Sequence, residues 1–348
     1  MRERKVAMTT RRSTVWRVSR VGAAVAALLL GVMPVYRGGQ GVHAASAPLK
    51  ATQMMNFFPQ PELGGQYAGM EFGTYKKYNL DVTMATFNPK ASNCEALVAT
   101  GRVDFCLDDA DGLLNARQQG IPAVAVMDIF QTNPLGWMWH ADNKTMRSVA
   151  DLSGNHLIYV FGSSYFDYLQ KKYHYTNITT QNYDFTLRAF LHDPKAVNQC
   201  YISSEPFTAR EQGARVAWGL VAASGYNPYS QLVITSEAMV KNHPDVVSAF
   251  VRGSVDGWKA YFQQPEKVFS YLRAAPGASS YPLTRAAMRF GFSQVKPLVA
   301  GGEAASKGIG YIDPARMRLL KAQMTSVGIK LDRVDVSRAF TDRFLAGM

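Results

Sequence analysis

Cysteine and histidine are scarce in this 348-residue chain, at three and six residues, and their spacing excludes the common metal motifs. Cys94, Cys106 and Cys200 form no C-x-x-C pair, and no H-E-x-x-H or paired Cys/His spacing accompanies them. Three thiols admit at most one intramolecular disulfide; the favoured expectation is that all three are small buried apolar residues. A P-loop, a G-x-G-x-x-G fingerprint and a G-x-S-x-G nucleophile elbow are also missing. Nucleotide-dependent and serine-hydrolase chemistry therefore have no motif to rest on. Internal repeats and low-complexity stretches are absent. The apolar run at residues 21–35 is broken by Gly22, Gly31 and Pro34, and it is shorter than the roughly 20 residues a spanning helix needs.

What is present begins with an N-terminus unlike a folded domain. Arg2, Arg4, Lys5, Arg11, Arg12, Arg17 and Arg20 precede the apolar run, and Val42-His43-Ala44 follows it. That is the order of a signal peptide: charged region, apolar region, small-residue cleavage site. Residues 1–44 are therefore expected to be removed, leaving a soluble protein that begins near Ala45. Arg11-Arg12 also admits twin-arginine export, although Ser13-Thr14-Val15 is a poor continuation for it. With no Cys near the cleavage point, a lipid anchor is not expected. The segment holds eight Lys/Arg against Glu3, so +7 of the formal +12 belongs to it and +5 remains. A charge of that size is ordinary, and nucleic-acid binding loses its compositional support.

The remaining chain, 47% apolar overall, is long enough for two cores. Strands at 51–58, 80–85, 103–107 and 124–129 alternate with helices at 65–78, 93–100 and 110–119. Such alternation predicts parallel βαβ units with helices on both faces. The pattern restarts after His140 with a short helix at 148–152, a strand at 157–160, helices at 165–173 and 187–192, a strand at 197–202, a helix at 206–212 and a strand at 216–221. A strand at 231–235 leads back, and helices follow at 244–263, 265–273, 283–292, 314–327 and 337–345. The first of these carries Val247, Phe250, Val251, Val255, Trp258 and Phe262 at helical spacing. The expected organisation is a signal peptide (1–44), a first lobe (45–140), a second lobe (141–225), and a return to the first lobe with C-terminal helices (226–348). Two such α/β lobes with two crossovers make a clamp, whose ligand sits in the cleft outside the carboxyl ends of the strands.

Asn56-Phe57-Phe58-Pro59-Gln60-Pro61-Glu62-Leu63-Gly64-Gly65-Gln66-Tyr67-Ala68-Gly69, continuing at Gly73-Thr74-Tyr75-Lys76-Lys77-Tyr78-Asn79-Leu80-Asp81-Val82, resembles the superfamily of solute-binding proteins that take sulfonates, thiamine-pyrimidine precursors and riboflavin, together with the thiamine-pyrimidine synthases. Ala96-Leu97-Val98-Ala99-Thr100-Gly101-Arg102-Val103-Asp104-Phe105, the stretch 110–126 and Ala150-Asp151-Leu152-Ser153-Gly154 fit the same pattern in the same order. The resemblance implies a two-lobed periplasmic-binding-protein-like fold of type II. It also implies an extracytoplasmic or periplasmic monomer that delivers a small-molecule ligand to the permease of an ABC importer, without a cofactor and without catalysis. Pro61-Glu62 and Tyr67 are more similar to the pyrimidine and riboflavin branch, although Asn56-Phe57-Phe58 replaces the Trp usual before the first proline. An exported synthase-like enzyme is the first alternative; the cysteine-rich motif of those relatives is absent here. A sulfonate receptor is the second, and it would need Arg or Lys near the helix N-termini.

Each candidate site residue has two readings. Gly64 and Gly65 either let backbone N–H groups approach a ligand or make a tight turn. Phe58 and Tyr67 either stack on a heterocycle or pack in the core. Of Asp108 and Asp109, one caps the following helix and the other reaches the cleft. Gly162, Ser163, Ser164 and Tyr165 form the corresponding turn of the second lobe, either a polar binding turn or a serine cap. Glu205 matches a position where pyrimidine-binding relatives carry an acid that accepts an N–H; otherwise it is an exposed loop glutamate.

Overall fold

The computed structural model describes residues 47–88, 93–281 and 283–347; the expected signal peptide lies outside them. The chain starts with β1 (Leu49–Met54), α1 (Gly64–Glu71), β2 (Leu80–Ala85), α2 (Cys94–Ala99), β3 (Phe105–Asp108), α3 (Ala110–Gln118) and β4 (Ala123–Met127). It crosses over and continues with β5 (Leu135–His140), β6 (His156–Tyr159), α4 (Ser164–Tyr173), β7 (Thr179–Asn182), α5 (Arg188–His192), β8 (Ala196–Tyr201), α6 (Glu205–Glu211) and β9 (Val216–Leu220). It then returns through β10 (Leu232–Ser236) to α7 (Glu237–Asn242), α8 (Pro244–Gln263), α9 (Pro265–Ala274), α10 (Arg285–Ala300), α11 (Ala304–Lys307) and α12 (Pro314–Ser326).

Two five-stranded sheets result, ordered β2-β1-β3-β10-β4 and β7-β6-β8-β5-β9. Each departs from the all-parallel expectation in one strand. β10 runs antiparallel to β3 and β4, and β5 runs antiparallel to β8 and β9. These are the two strands that follow the crossovers: a chain arriving from the other lobe enters its sheet from the opposite end. The strand Leu135–His140 already pairs in the second sheet, so the two sheets divide just before it and not at Ala141.

Local chemistry explains the other departures. Residues 148–152 form turns and no helix, because the Asp151 carboxylate accepts the backbone N–H groups of Arg147 (3.1 Å) and Ser148 (2.8 Å), a local bond that competes with a helical one. Residues 337–345 are not helical beyond the short 3-10 turn Val336–Arg338. Their backbone is used at a sheet edge, where Ala125 N–H donates to the Ala339 carbonyl and Thr341 N–H to the Ala125 carbonyl, both at 2.9 Å. That covers the outer edge of β4. The thiols also differ from expectation: Cys94 and Cys106 form a disulfide between α2 and β3, their Cα atoms 5.8 Å apart, while Cys200 is a buried free thiol.

α8 is the main helix against the first sheet. Phe250, Trp258 and Tyr261 are buried on it, and Phe250 stacks on Phe105 with ring centroids 3.9 Å apart. Among the described residues no helix is long and apolar enough to cross a membrane.

Candidate functional site

The carboxyl ends of both sheets supply the polar residues that meet between the lobes. From the first lobe comes Glu62, on the turn before α1, with 0% of its surface exposed. The Ser203 hydroxyl, from the loop after β8, donates to its Oε1, whereas Oε2 has no hydrogen-bond partner among the described residues. Burial pushes this carboxyl up to about 7, and the nearby Glu205 adds to the rise. A second inter-lobe bond joins α3 to α4: the Ser164 hydroxyl donates to Asp111 Oδ2 at 2.6 Å and accepts from the Tyr226 hydroxyl at 2.8 Å.

Glu205 opens α6. Its Oε2 accepts from Ser204 Oγ (2.6 Å) and the Tyr201 backbone N–H (2.8 Å), and its Oε1 from the Tyr183 hydroxyl (3.3 Å). Desolvation raises its carboxyl above the ordinary range, and these bonds pull the other way. Glu205 lines a pocket of about 490 Å3 whose walls include Phe57, Tyr183, Phe185, Arg188, His192 and Tyr281. Phe57 and Tyr281 approach edge to face at 5.4 Å. Phe58 stands behind them, its ring parallel to that of Tyr281 at 6.3 Å and 5.3 Å from Phe87. The pocket's size suits a small organic ligand, and its aromatic rings alternate with polar side chains, among them Thr186, Arg188, His192, Thr208 and Gln212. Another groove, of about 540 Å3, runs along α12 past Arg318, Lys321 and Phe340; it lies away from the strand ends and gathers no carboxylate of raised pKa.

Glu62 and Glu205 are thus neighbours across the lobes, near enough for one to raise the other, while Phe58 packs on Phe57 and Tyr281 outside the pocket lining. The other sequence candidates have different duties. Gly64 and Gly65 face α8, since a Cβ on them would lie 2.1 Å from the rings of Tyr261 and Trp258; they are glycine so that the helices can touch, a duty that neither the ligand-facing nor the tight-turn reading included. Tyr67 is buried beside Tyr271 of α9 at 6.2 Å and is not part of the pocket that Glu205 lines. Neither aspartate caps α3 with its side chain. Asp108 Oδ1 accepts the Asp109 N–H (2.7 Å), and Asp109 Oδ1 accepts from Ser230 Oγ (2.8 Å) and Gln231 N–H (3.1 Å), tying β3 to the returning strand. Asp109 is also raised, to about 7, chiefly by burial and next by Asp111. In the second-lobe turn Gly162 takes a left-handed φ of 80°. Ser163 donates to the Val160 carbonyl (2.6 Å) without capping the helix. Tyr165 is buried with its hydroxyl on Gln199 Oε1 (2.8 Å). Of this turn only Ser164 reaches across the lobes.

Sequence reading missed Tyr183, Phe185, Tyr281 and Ser203. Tyr183 and Phe185 follow β7, whose residues Thr179-Thr180-Gln181-Asn182 offer no apolar signal, and Tyr281 sits in the connection before α10. Phe57 was legible as part of an aromatic pair, but nothing in the sequence chose it over Phe58. Among the described residues no group of three or more His, Cys, Asp or Glu is placed to hold a metal ion.

Comparison with known proteins finds relatives by sequence and by fold. The riboflavin-binding protein RibY of Chloroflexus aurantiacus is 28% identical over 307 residues, covering 86% of each chain. The formylaminopyrimidine-binding protein of Halalkalibacterium halodurans is 23% identical over 239 residues, 66% of this chain and 72% of that one. Among solved structures, the periplasmic aliphatic sulphonate binding protein SsuA from Escherichia coli superposes with a TM-score of 0.64 at 12% identity, covering 85% of this chain and 92% of its own; at that identity the likeness is one of fold, the two-lobed α/β fold of periplasmic binding proteins. The model of the family described as NMT1/THI5 like matches residues 60–268, from the turn that carries Glu62 through every strand after β1 into α9, and the chain belongs to that family.

Proposed function

We propose that the protein is the extracytoplasmic solute-binding component of an ABC importer and that its ligand is a small nitrogen heterocycle. The observation that carries this reading is the pocket between the lobes, where Glu205 lies among Phe57, Tyr183 and Tyr281. A flat ring stacked on these aromatics gains about 0.5–1.5 kcal/mol per pair beyond burial. A carboxylate beside it accepts ring or exocyclic N–H groups. The names of the two relatives, one a riboflavin binder and one a formylaminopyrimidine binder, support the same ligand class.

A sulfonate receptor fits less well. Arg188 opens α5 and lines the pocket, so a cation does stand at a helix N-terminus. It and His192 are exposed to water, whereas the group drawn out of water is the Glu205 carboxyl, an acceptor that suits an N–H better than an anion. A synthase-like enzyme also fits less well: Cys94 and Cys106 are tied to each other and the third thiol is buried, which leaves no accessible cysteine among the described residues. The disulfide supports an oxidising compartment outside the cytoplasm. Protein recovered from the exporting cell should begin near Ala45.

A thermal-shift screen tests the ligand class, because a ligand that binds only the native state raises the melting temperature with the logarithm of its concentration. Riboflavin or 4-amino-5-hydroxymethyl-2-methylpyrimidine should stabilise the protein. Stabilisation by alkanesulfonates alone would reject the heterocycle.

A further inference from the structure

Phe185 is placed unfavourably in the protein as it stands. Its ring is 66% exposed and its φ is +59°, a left-handed conformation that a bulky side chain rarely takes and that Gly or Asn would adopt with less strain. The conformation is held in place: the preceding Asp184 carboxylate accepts both the N–H (2.9 Å) and the hydroxyl (2.8 Å) of Thr186. The result directs an apolar ring to the mouth of the inter-lobe pocket, whose wall it forms. Phe161, another exposed phenylalanine at 50%, is not part of that wall.

Along the wall the order of chemistry is informative. Glu205 accepts from the Tyr183 hydroxyl, and the Tyr183 ring lies 5.1 Å from that of Phe185. A polar anchor is thus followed by two successive aromatic rings running outward. A single heteroaromatic ring held at Glu205 is covered by Tyr183 and Tyr281 and leaves Phe185 in water. A fused ring system held at the same anchor extends over Phe185 and removes its apolar face from water.

We propose that Phe185 is a specificity-determining residue that selects fused-ring heterocycles over single-ring ones. This rests on the heterocycle reading of the pocket and deepens it. Because the side chain is exposed, Phe185→Ala leaves the fold intact, which circular dichroism and the melting temperature of the ligand-free protein verify. The probes are riboflavin, with three fused rings, followed by fluorescence, and 4-amino-5-hydroxymethyl-2-methylpyrimidine, with one ring, followed by calorimetry.

Wild-type protein should bind riboflavin more tightly than the pyrimidine. Phe185→Ala should weaken riboflavin by about tenfold and leave any pyrimidine binding within about twofold, and Phe185→Tyr should restore the riboflavin affinity. Unchanged riboflavin affinity in Phe185→Ala, an equal loss for both probes, or a wild-type preference for the pyrimidine overturns the proposal while leaving the heterocycle reading in place. Binding of neither probe to the wild type overturns both.

Discussion

Glu62 is a carboxyl enclosed without a full set of partners, and the consequence is a stability that depends on pH. Its ordinary value of 4.5 is raised to about 7 by burial, so between those values the native state holds a proton that the unfolded chain has released. Stability therefore falls as pH rises through that window. By pH 8 the cost of the ionised, buried group is on the order of 3 kcal/mol. Glu62→Gln keeps the shape and an acceptor for Ser203 but cannot ionise. In urea titrations it should be more stable than wild type at pH 8 and close to it at pH 5; a gap of equal size at both pH values would mean that ionisation of Glu62 is not the cause. Asp109, raised to about 7 from 3.8, acts in the same direction, so a decline with pH should persist in the variant. Glu205→Gln tests the other carboxyl. It replaces a charge-assisted acceptor and should weaken heterocycle binding by roughly 1–3 kcal/mol in calorimetry; undiminished affinity would remove Glu205 from the site.

At the scale of elements, the contact between α1 and α8 shows both the reach and the limit of sequence reading. The periodicity of α8 predicted Pro244–Gln263 to the residue, because a long amphipathic helix repeats its signal over several turns. The partner contact was not legible, since close packing leaves glycines that read equally well as a turn. A Cβ on Gly257 would stand 2.4 Å from the Gly65 carbonyl oxygen, and backbone cannot move aside as a flexible side chain can. Gly257→Ala should lower the unfolding free energy by about 1–3 kcal/mol, and an unchanged urea midpoint would show that the helices can part at no cost. Short polar strands such as β7 carry no periodic signal, and whether Cys94 meets Cys106 depends on α2 lying against β3. Reducing that bridge, which joins residues 12 apart in sequence, should cost roughly 3 kcal/mol, read as a lower melting temperature in reductant.

For the whole molecule, the two-lobed plan followed from the alternation of strands and helices and from the return at β10, but what holds the lobes together is made of single residues far apart in sequence. The crossovers bind each other, Asn133 N–H donating to Asn227 Oδ1 at 2.9 Å and Phe130 N–H to the Ser230 carbonyl at 3.2 Å. Arg316 braces both, donating to the carbonyls of Asn227 (2.8 Å) and Gln131 (2.6 Å) while its guanidinium lies 3.8 Å from the Tyr229 ring. Away from this hinge, Ser203 on Glu62 and Ser164 on Asp111 join one lobe to the other. A ligand that touches both lobes can shift an open–closed equilibrium only by binding the closed state better. Its apparent affinity scales with the closed fraction present before it arrives. Removing both hydroxyls, in Ser164→Ala with Ser203→Ala, takes away those contacts and leaves the carboxyl of Glu62 better served by water than by the interface. Small-angle scattering at pH 8 should then give a larger radius of gyration than wild type for the ligand-free double variant, with the two equal at saturating ligand. Affinity should drop by the same factor as the closed population. Identical radii and identical affinities would mean that the crossovers alone fix the closed arrangement.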